Sequence, residues 1–264
     1  MYQQHYQHLG FEYRGRVLTV TMNRPEVKNA ADIRMHRELS TVFRDVAGDD
    51  RCGVVVLTGA GDAFSAGGDI LAMQDKIADR GKWVDTVEEA RRIFYGMLEL
   101  PKPLIARVNG AATGLGATLA VYADIAVAAE SAVIGDPHVK VGLVAGDGGA
   151  LMWPLLVGFQ RAKELLFLGD SIDAAEAARI GLVTHCVPDA ALDDKVYGLA
   201  ERLCRVAPLA LSWTKRTINH TLRQLAQGTM ENGLLMETLS QLTQDHAEAV
   251  SAFAQKRRPV FQGR

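Results

Sequence analysis

Segments with the apolar spacing of strands and segments with that of helices alternate along the first half of the chain. Two strands are predicted over 9–13 and 16–22, because β-branched residues alternate there. A helix is predicted over 30–46, where apolar positions recur at three- and four-residue intervals. The continuous apolar run over 53–58 is typical of a buried strand. Such alternation with short loops predicts an α/β architecture.

The pattern changes after Ala207-Pro208, where apolar residues keep helical spacing only. Two amphipathic helices are predicted there, over 209–222 and 234–242. We therefore expect two parts: a strand-rich core over residues 1–206 that carries the site, and a helical C-terminal region over 207–264. A helical tail after a strand-rich body is a candidate for docking or oligomerisation.

Charge and cysteine content narrow the function classes. The net charge of the 264 residues is −2, so no basic field favours nucleic acid or an anionic membrane. Three cysteines without a CxxC pair are typical of reduced thiols in a cytoplasmic protein. No leader signature and no apolar run long enough for a bilayer is visible. We expect a cytoplasmic protein with neither a nucleic-acid nor a membrane partner.

Two glycine-rich segments, 59–70 and 109–118, each lie between a predicted strand and a predicted helix. Glycine permits close approach to a ligand, and the start of a helix presents free backbone N–H groups. Two such groups that converge on one oxygen would stabilise an oxyanion or enolate. The alternative is that these glycines serve only the tight packing of strand against helix. Phosphate binding has no support from a GxxxxGK[ST] motif.

Several motifs occur in a fixed order, and their order is more specific than any one of them. They are residues 23–30 (NRPEVKNA), 64–70 (FSAGGDI), 108–116 (VNGAATGLG), 181–183 (GLV) and 252–258 (AFAQKRR). Together they resemble the enoyl-CoA hydratase/isomerase (crotonase) superfamily, over about residue 9 to Phe261. The resemblance implies a crotonase-type spiral of ββα units with a helical C-terminal oligomerisation region, assembled as a homotrimer or a dimer of trimers.

The resemblance also implies how an acyl-CoA substrate is held. The backbone N–H groups of Ala66 and Leu115 match the oxyanion hole that accepts the thioester oxygen. A further set of residues matches positions that bind the CoA moiety: Lys28, Ala30, Asp69, Ile70, Phe253 and Lys256. The last two usually reach the CoA of an adjacent subunit, and a cationic lysine suits a phosphate; a solvated helix end is the alternative for that basic cluster. CoA is then part of the substrate, and no separate cofactor is expected.

The proton-transfer residues depart from the family pattern. Hydratases of this superfamily carry one glutamate in the helix after the second glycine turn and another in a later loop. Thr118 and His138 stand at those positions here. Threonine is a poor base at neutral pH, whereas histidine titrates near it. A two-glutamate hydration mechanism therefore cannot be carried over.

Asp147, nine residues after His138 and among four glycines, offers a replacement carboxylate. It would orient the imidazole and stabilise its cationic form. Alternatively Asp147 caps a helix over 150–156, and His138 is an ordinary loop histidine. No His, Cys or Asp group has the sequence spacing of a metal site, so no metal is expected.

Three functions remain open from the sequence. We favour hydration or isomerisation of an enoyl-CoA, with His138 and Asp147 as catalytic residues and Thr118 positioning a water. The His138 and Asp147 segments also resemble the 6-oxocamphor hydrolase type, which cleaves a C–C bond of a β-diketone by a retro-Claisen reaction. A non-catalytic acyl-CoA-binding protein is the third alternative, because both glutamates are missing.

Overall fold

The structure is a computed structural model that describes residues 2–264 and, among them, every side chain except those of residues 2 and 71. Within that range it contains ten strands in two sheets. The strands are β1 (Leu9–Arg14), β2 (Val17–Met22), β3 (Val54–Gly59), β4 (Ala63–Ser65), β5 (Leu104–Val108), β6 (Ala111–Thr113), β7 (Ile125–Ala129), β8 (Val133–Gly135), β9 (Ser171–Asp173) and β10 (His185–Val187).

Ten α-helices fill the rest of the described chain, with four short 3₁₀ helices between them. They are α1 (Ile33–Ala47), α2 (Ile70–Ala78), α3 (Arg80–Glu99), α4 (Leu115–Tyr122), α5 (Gly149–Val157), α6 (Phe159–Leu168), α7 (Ala174–Arg179), α8 (Leu192–Cys204), α9 (Pro208–Gln241) and α10 (Gln244–Ala254). None of these helices is long and apolar enough to cross a membrane.

The larger sheet has the order β1-β2-β3-β5-β7-β10, parallel except for the hairpin of β1 and β2. The smaller sheet has the order β4-β6-β8-β9, in which only β8 and β9 are antiparallel. From β3 to β8 successive strands alternate between the two sheets, so each step from one sheet to the other advances a spiral. The α/β spiral expected from the sequence is confirmed.

Helices cover both faces of the larger sheet, which explains why the first four residues of β3, Val54 to Leu57, are all apolar. Val55 and Leu57 face the main core, where α1 and α3 pack. Val54 and Val56 face a second core under α8. A strand buried on both faces has no position for a polar side chain and therefore loses the alternation of a half-buried strand.

The helical tail differs from its prediction. One helix of 34 residues, α9, spans the two segments that the apolar spacing separated, and α10 follows it. The expected break lies near Gly228, a residue that costs helix stability but is tolerated where packing supports the helix. Ala226, Met230 and Leu234 of α9 belong to the main core. α9 thus begins beside the predicted boundary at 206/207, while the division of the chain into two units stays a prediction.

Close backbone contact between β4 and the start of α4 gives a test of this packing. A Cβ on Gly116 would lie 2.3 Å from the Ser65 carbonyl oxygen and 2.9 Å from Ser65 Cβ. We expect Gly116→Ala to lower the free energy of unfolding by about 1–3 kcal/mol, because the backbone of β4 has to move. Chemical denaturation measures it.

Gly198 of α8 is the matched control, since a Cβ there meets nothing within 4 Å. Gly198→Ala should leave the free energy of unfolding unchanged or raise it by up to about 1 kcal/mol. Equal effects of the two substitutions would contradict the close packing of Gly116.

Candidate active site

The two glycine-rich turns lie side by side, as their positions after neighbouring strands require. β4 leads into the first turn and β6 into the second, and the two strands pair in parallel. Gly67 has φ +85°, and a Cβ on it would lie 2.5 Å from the Thr113 carbonyl oxygen. A Cβ on Gly114 would lie 3.9 Å from Gly67 Cα. Gly67 has to be glycine because a side chain there would collide with the second turn, whereas Gly114 requires glycine for its φ of +52°.

The two predicted oxyanion donors differ in their present hydrogen bonds. Leu115 is the first residue of α4, and no acceptor for its N–H lies within residues 2–264. The Ala66 N–H instead donates to the Lys28 carbonyl, with an N···O distance of 2.9 Å. The Leu115 amide is therefore ready to bind an oxygen, whereas the Ala66 amide has to share or exchange its bond.

His138 lies at the second turn. It opens a short 3₁₀ helix, His138–Val141, that follows β8. Its Cε1 is 3.7 Å from the position of a Cβ on Gly114, the residue before Leu115. The imidazole predicted to transfer protons is thus beside the amide predicted to hold the oxyanion.

Two carboxylates bracket the His138 ring. The Asp136 carboxylate forms a short hydrogen bond with Nδ1, and Asp147 Oδ2 lies 3.7 Å from Nε2. The hydroxyl of Thr118 donates to Asp147 Oδ1 at 3.2 Å. All three predicted catalytic residues, His138, Asp147 and Thr118, therefore meet in one buried cluster. Asp147 does not cap α5, since Gly148 holds the N-cap position without a side-chain bond.

The sequence analysis missed two members of this cluster, and Asp136 is the first. Asp136 lies two residues before His138, a spacing that could have indicated the pair. Its Oδ2 has no hydrogen-bond partner among the described residues. A Cβ on Gly149 would lie 2.2 Å from that oxygen, so the start of α5 packs directly on the carboxylate.

Glu237 of α9 is the second. The loop before α5 touches α9 so closely that a Cβ on Gly146 would lie 2.2 Å from the Gly233 carbonyl oxygen and 2.8 Å from Glu237 Cβ. This contact brings the buried Glu237 carboxyl next to Asp147. About 90 residues separate the two along the chain, and the apolar spacing of α9 gives no sign of the contact.

Burial and charge set which groups of the cluster hold protons. Burial opposes a charge on His138, but the Asp136 and Asp147 carboxylates outweigh it and raise the pKa of His138 well above its usual value. Burial, reinforced by the charge of Asp147, raises the pKa of Glu237 to about 8. Burial also raises the pKa of Asp147, and the positive charge of His138 offsets part of this rise. Near neutral pH the cluster therefore contains a cationic imidazole and a mostly neutral Glu237.

The residues expected at the CoA moiety surround the first turn. Ala31 N–H donates to the Gly67 carbonyl, and Asp69 N–H donates to the Ala31 carbonyl, which fixes the segment of Lys28 and Ala30 against the start of α2 at Ile70. Lys28 is exposed in a left-handed conformation. Phe253 and Lys256 lie exposed at the end of α10, which packs on α2; their contact with CoA in an adjacent subunit stays a prediction.

The fold brings together three potential metal ligands that the sequence spacing does not reveal. Donor atoms of Asp136, His138 and Asp147 lie within 4.8 Å of one another, although their sequence spacing is not that of a metal site. Two separate loops supply them, which spacing cannot reveal. Both ring nitrogens of His138 already face carboxylates, so the imidazole is engaged within the cluster. The absence of a metal in the working protein stays a prediction.

Comparison with known proteins places this site in a family. The enoyl-CoA hydratase/isomerase family model matches residues 12–264. The chain is 35% identical to the 2,3-dehydroadipyl-CoA hydratase of Escherichia coli over 254 residues, which cover 94% of this chain and 96% of that protein. The chain belongs to the enoyl-CoA hydratase/isomerase family. It is an enzyme of that family, as the resemblance of its ordered motifs indicates.

Solved structures of the family share the fold. An enoyl-CoA hydratase/isomerase from Mycobacterium paratuberculosis superposes with a TM-score of 0.89 at 34% identity, over 92% of this chain and 97% of that one. A β-diketone hydrolase from Anabaena sp., bound to (S)-3-oxocyclohexyl acetic acid, superposes with a TM-score of 0.84 at 29% identity, over 91% and 96%. Solved structures with this fold therefore include both an enoyl-CoA hydratase/isomerase and a β-diketone hydrolase.

The raised pKa of Glu237 predicts a pH-dependent effect of Glu237→Gln on stability. In the unfolded chain Glu237 ionises near its ordinary value of 4.5, but in the folded chain it keeps its proton to about pH 8. Retention of the Glu237 proton stabilises the folded state at low pH, and this contribution to the free energy of unfolding disappears as the pH rises from about 4.5 to 8. The glutamine variant should therefore gain stability relative to the wild type across that window, by up to about 5 kcal/mol.

Chemical denaturation at a series of pH values measures this difference. Glu231→Gln, on the same helix but with a partly exposed side chain paired to Arg91, is the matched control. A difference between Glu237→Gln and wild type that is constant across the window, or that matches the control, would show that Glu237 ionises as an ordinary carboxyl.

Proposed function

We propose that the protein adds water to, or moves the double bond of, an enoyl-CoA thioester through an enolate intermediate. The observation that carries the proposal is the position of His138, bracketed by Asp136 and Asp147, beside the unpartnered N–H of Leu115. An acid–base group next to an oxyanion donor is the arrangement that enolate chemistry needs.

In the proposed reaction the thioester oxygen binds the N–H groups of Leu115 and Ala66. The positive end of α4 lies at this oxygen, and the site is largely buried, which strengthens both hydrogen bonds. The Ala66 amide turns from the Lys28 carbonyl to the substrate, because the developing charge makes the oxyanion the better acceptor. Charge that forms on the oxygen is thereby stabilised without a cation.

Proton transfer falls to the carboxylate–imidazole cluster. The cationic His138, held by Asp136 at Nδ1, donates a proton from Nε2, and Asp147 accepts one from water or from a substrate carbon. Thr118 orients the Asp147 carboxylate through its hydroxyl. Glu237, neutral near physiological pH, is a second proton donor. Two donors, His138 and Glu237, and one acceptor, Asp147, thus replace the pair of glutamates of the family's hydratases.

The CoA moiety is proposed to bind the first turn, at Lys28, Ala30, Asp69 and Ile70. Relatives named for CoA substrates, such as the dehydroadipyl-CoA hydratase, support this. We propose that Phe253 and Lys256 reach the CoA of a neighbouring subunit in a homotrimer or a dimer of trimers. Large apolar side chains exposed on α9, among them Trp213, Ile218 and Leu239, favour such assembly. Sedimentation as a monomer at micromolar concentration would contradict it.

A second candidate is hydrolytic cleavage of a C–C bond in a β-diketone. The superposition with the Anabaena β-diketone hydrolase and the His138–Asp147 pair favour it. Here Asp147 and His138 would activate a water that attacks one carbonyl, and the oxyanion hole would hold the enolate that leaves. The two candidates share the enolate and differ in which bond breaks.

Substitution of Leu115 tests the oxyanion hole. Proline is tolerated at the first position of a helix and lacks the N–H, so Leu115→Pro deletes the proposed donor while preserving α4. Gly114 has ψ −123°, outside the helical region that a following proline disfavours. We expect kcat on the enzyme's best thioester to fall about 10²–10³-fold.

Leu115→Ala is the matched control, because it removes the same side chain and keeps the N–H. It should retain most of the activity that Leu115→Pro loses. Equal kcat values for the proline and alanine variants, with both folded by circular dichroism, would exclude the Leu115 amide as a donor.

A substrate panel with a His138→Ala variant tests the proposed reaction. We expect the wild type to convert at least one of a panel of enoyl-CoA thioesters, and His138→Ala to lower kcat about 10²–10⁴-fold. His220→Ala, an exposed histidine of α9, is the control and should leave kcat unchanged.

Liquid chromatography of the products separates the candidates. Cleavage of a cyclic β-diketone without turnover of any thioester would replace the first candidate with the second. Binding of CoA thioesters without turnover of either class would remove both.

A further inference from the structure

Lys76 of α2 is a largely buried lysine whose ammonium group has no ion-pair partner among the described residues. Its side chain is 9% exposed. Among residues 2–264 no carboxylate oxygen lies within 4.0 Å of its Nζ, and no hydrogen bond to it is found. The ring of Trp83 lies 6.0 Å from Nζ, which is the far limit of a cation–π contact. A lysine is rarely buried without an ion pair or a ligand.

α2 directs Lys76 to the side of the first glycine turn. The helix starts at that turn, and Met73 Cε lies 3.2 Å from the position of a Cβ on Gly68. Residues three apart share a helix face, so Lys76 follows Met73 on the turn-facing side. Lys76 and His138 both lie within electrostatic reach of the Glu237 carboxyl. Lys76 therefore lies on the side of α2 that faces the first glycine turn, in the neighbourhood of the catalytic cluster.

The carboxyl groups near Lys76 are occupied or uncharged. Glu89 forms a 2.7 Å bond with His36 and a 3.2 Å bond with Arg37. Asp69 lies 3.6 Å from Arg24. Glu237 keeps its proton near neutral pH. Burial lowers the pKa of Lys76, and these carboxyl groups oppose that effect only from a distance. The ammonium group thus lacks the close anion that its burial requires.

We propose that Lys76 binds a carboxylate at the end of the substrate's acyl group remote from the thioester. This rests on the proposed function, in which an acyl thioester lies against the two glycine turns. Its enolate oxygen faces α4, while the acyl chain passes the turn-facing side of α2. A carboxylate on that acyl chain supplies the anion for Lys76, whose Nζ lies over the ring of Trp83. Substrates of this class are enoyl thioesters of dicarboxylic acids.

Paired substrates test the proposal. One member of each pair is an enoyl-CoA with a terminal carboxylate, and the other is its terminal carboxamide, which has the same shape without the charge. Acyl chains of increasing length are used, because the best span is to be found by experiment. The wild type should favour the carboxylate by about 10- to 100-fold in kcat/KM at the best length.

Lys76→Met should reduce that preference about 10- to 100-fold, mainly through KM for the carboxylate. Lys76→Arg keeps the charge and should retain much of the preference. Lys82→Met, at the start of α3 with a side chain 41% exposed, is the matched control and should leave the preference unchanged. Turnover of the carboxamide by each variant reports that the protein is folded.

Two results would overturn the proposal. One is a wild type that does not favour the carboxylate at any length. The other is Lys76→Met lowering kcat/KM for both members of a pair equally, which indicates a structural role or a contact with a CoA phosphate.

Failure of the proposed function is recognised separately. If no thioester is turned over, calorimetric titration with saturated carboxylate and carboxamide thioesters still measures the preference of Lys76. Equal dissociation constants in that titration would overturn the inference as well.

Discussion

The site depends on the close approach of two backbone turns that only glycine permits. A side chain on Gly67 would collide with the Thr113 carbonyl and push the first turn away from the end of β6. A side chain on Gly116 would collide with Ser65 and separate β4 from the start of α4. The amide of Leu115 is free because it opens a helix, and the turn of Ala66 lies beside it because the parallel strands end at the same edge. Neighbouring helices secure this arrangement, since β3 and β5 are buried on both faces.

Around this rigid frame, the fold gathers an unusual number of buried charges. His138 is protonated in a buried environment only because two carboxylates flank it, and those carboxylates are tolerated only because of the imidazole. Breaking one partner leaves an uncompensated buried charge, which costs more than the pair contributes. The loop of Asp136 and the loop of Asp147 therefore depend on each other for stability, because both carboxylates face the His138 imidazole. Glu237 adds a neutral carboxyl, which avoids a third negative charge in the same space.

The sequence predicted the parts of the site that have local signals. Glycines after strands marked both turns, and the order of the motifs identified Ala66, Leu115, Thr118 and His138. Asp147 was found because glycines surround it. Asp136 was not predicted, although its two-residue spacing from His138 was visible. Glu237 and Lys76 carry no local signal, because each lies on an amphipathic helix where a charged residue normally faces solvent. Their burial follows from two tertiary contacts, that of Gly146 with Gly233 and that of α2 with α10.

The predicted break within α9 was wrong for a related reason. Packing of Met230 and Leu234 into the core overrides the low helix propensity of Gly228.

The two halves of the proposed site are built from different parts of the chain, and this difference has a chemical consequence. The proposed oxyanion-binding half of the site consists of backbone N–H groups. The side chain at a donor position can therefore vary, as Leu115 shows, without loss of the donor. The proton-transfer half is made of side chains on loops and on α9, and exchange of two or three of them changes which atom receives a proton. A family with this fold can therefore keep one intermediate and vary its reaction. In this member Thr118 and His138 stand where the family's hydratases carry glutamates, and Asp136, Asp147 and Glu237 supply carboxyl groups nearby. Under the proposed function the fold stabilises an enolate, and the protons shared among these carboxyl groups decide which bond breaks.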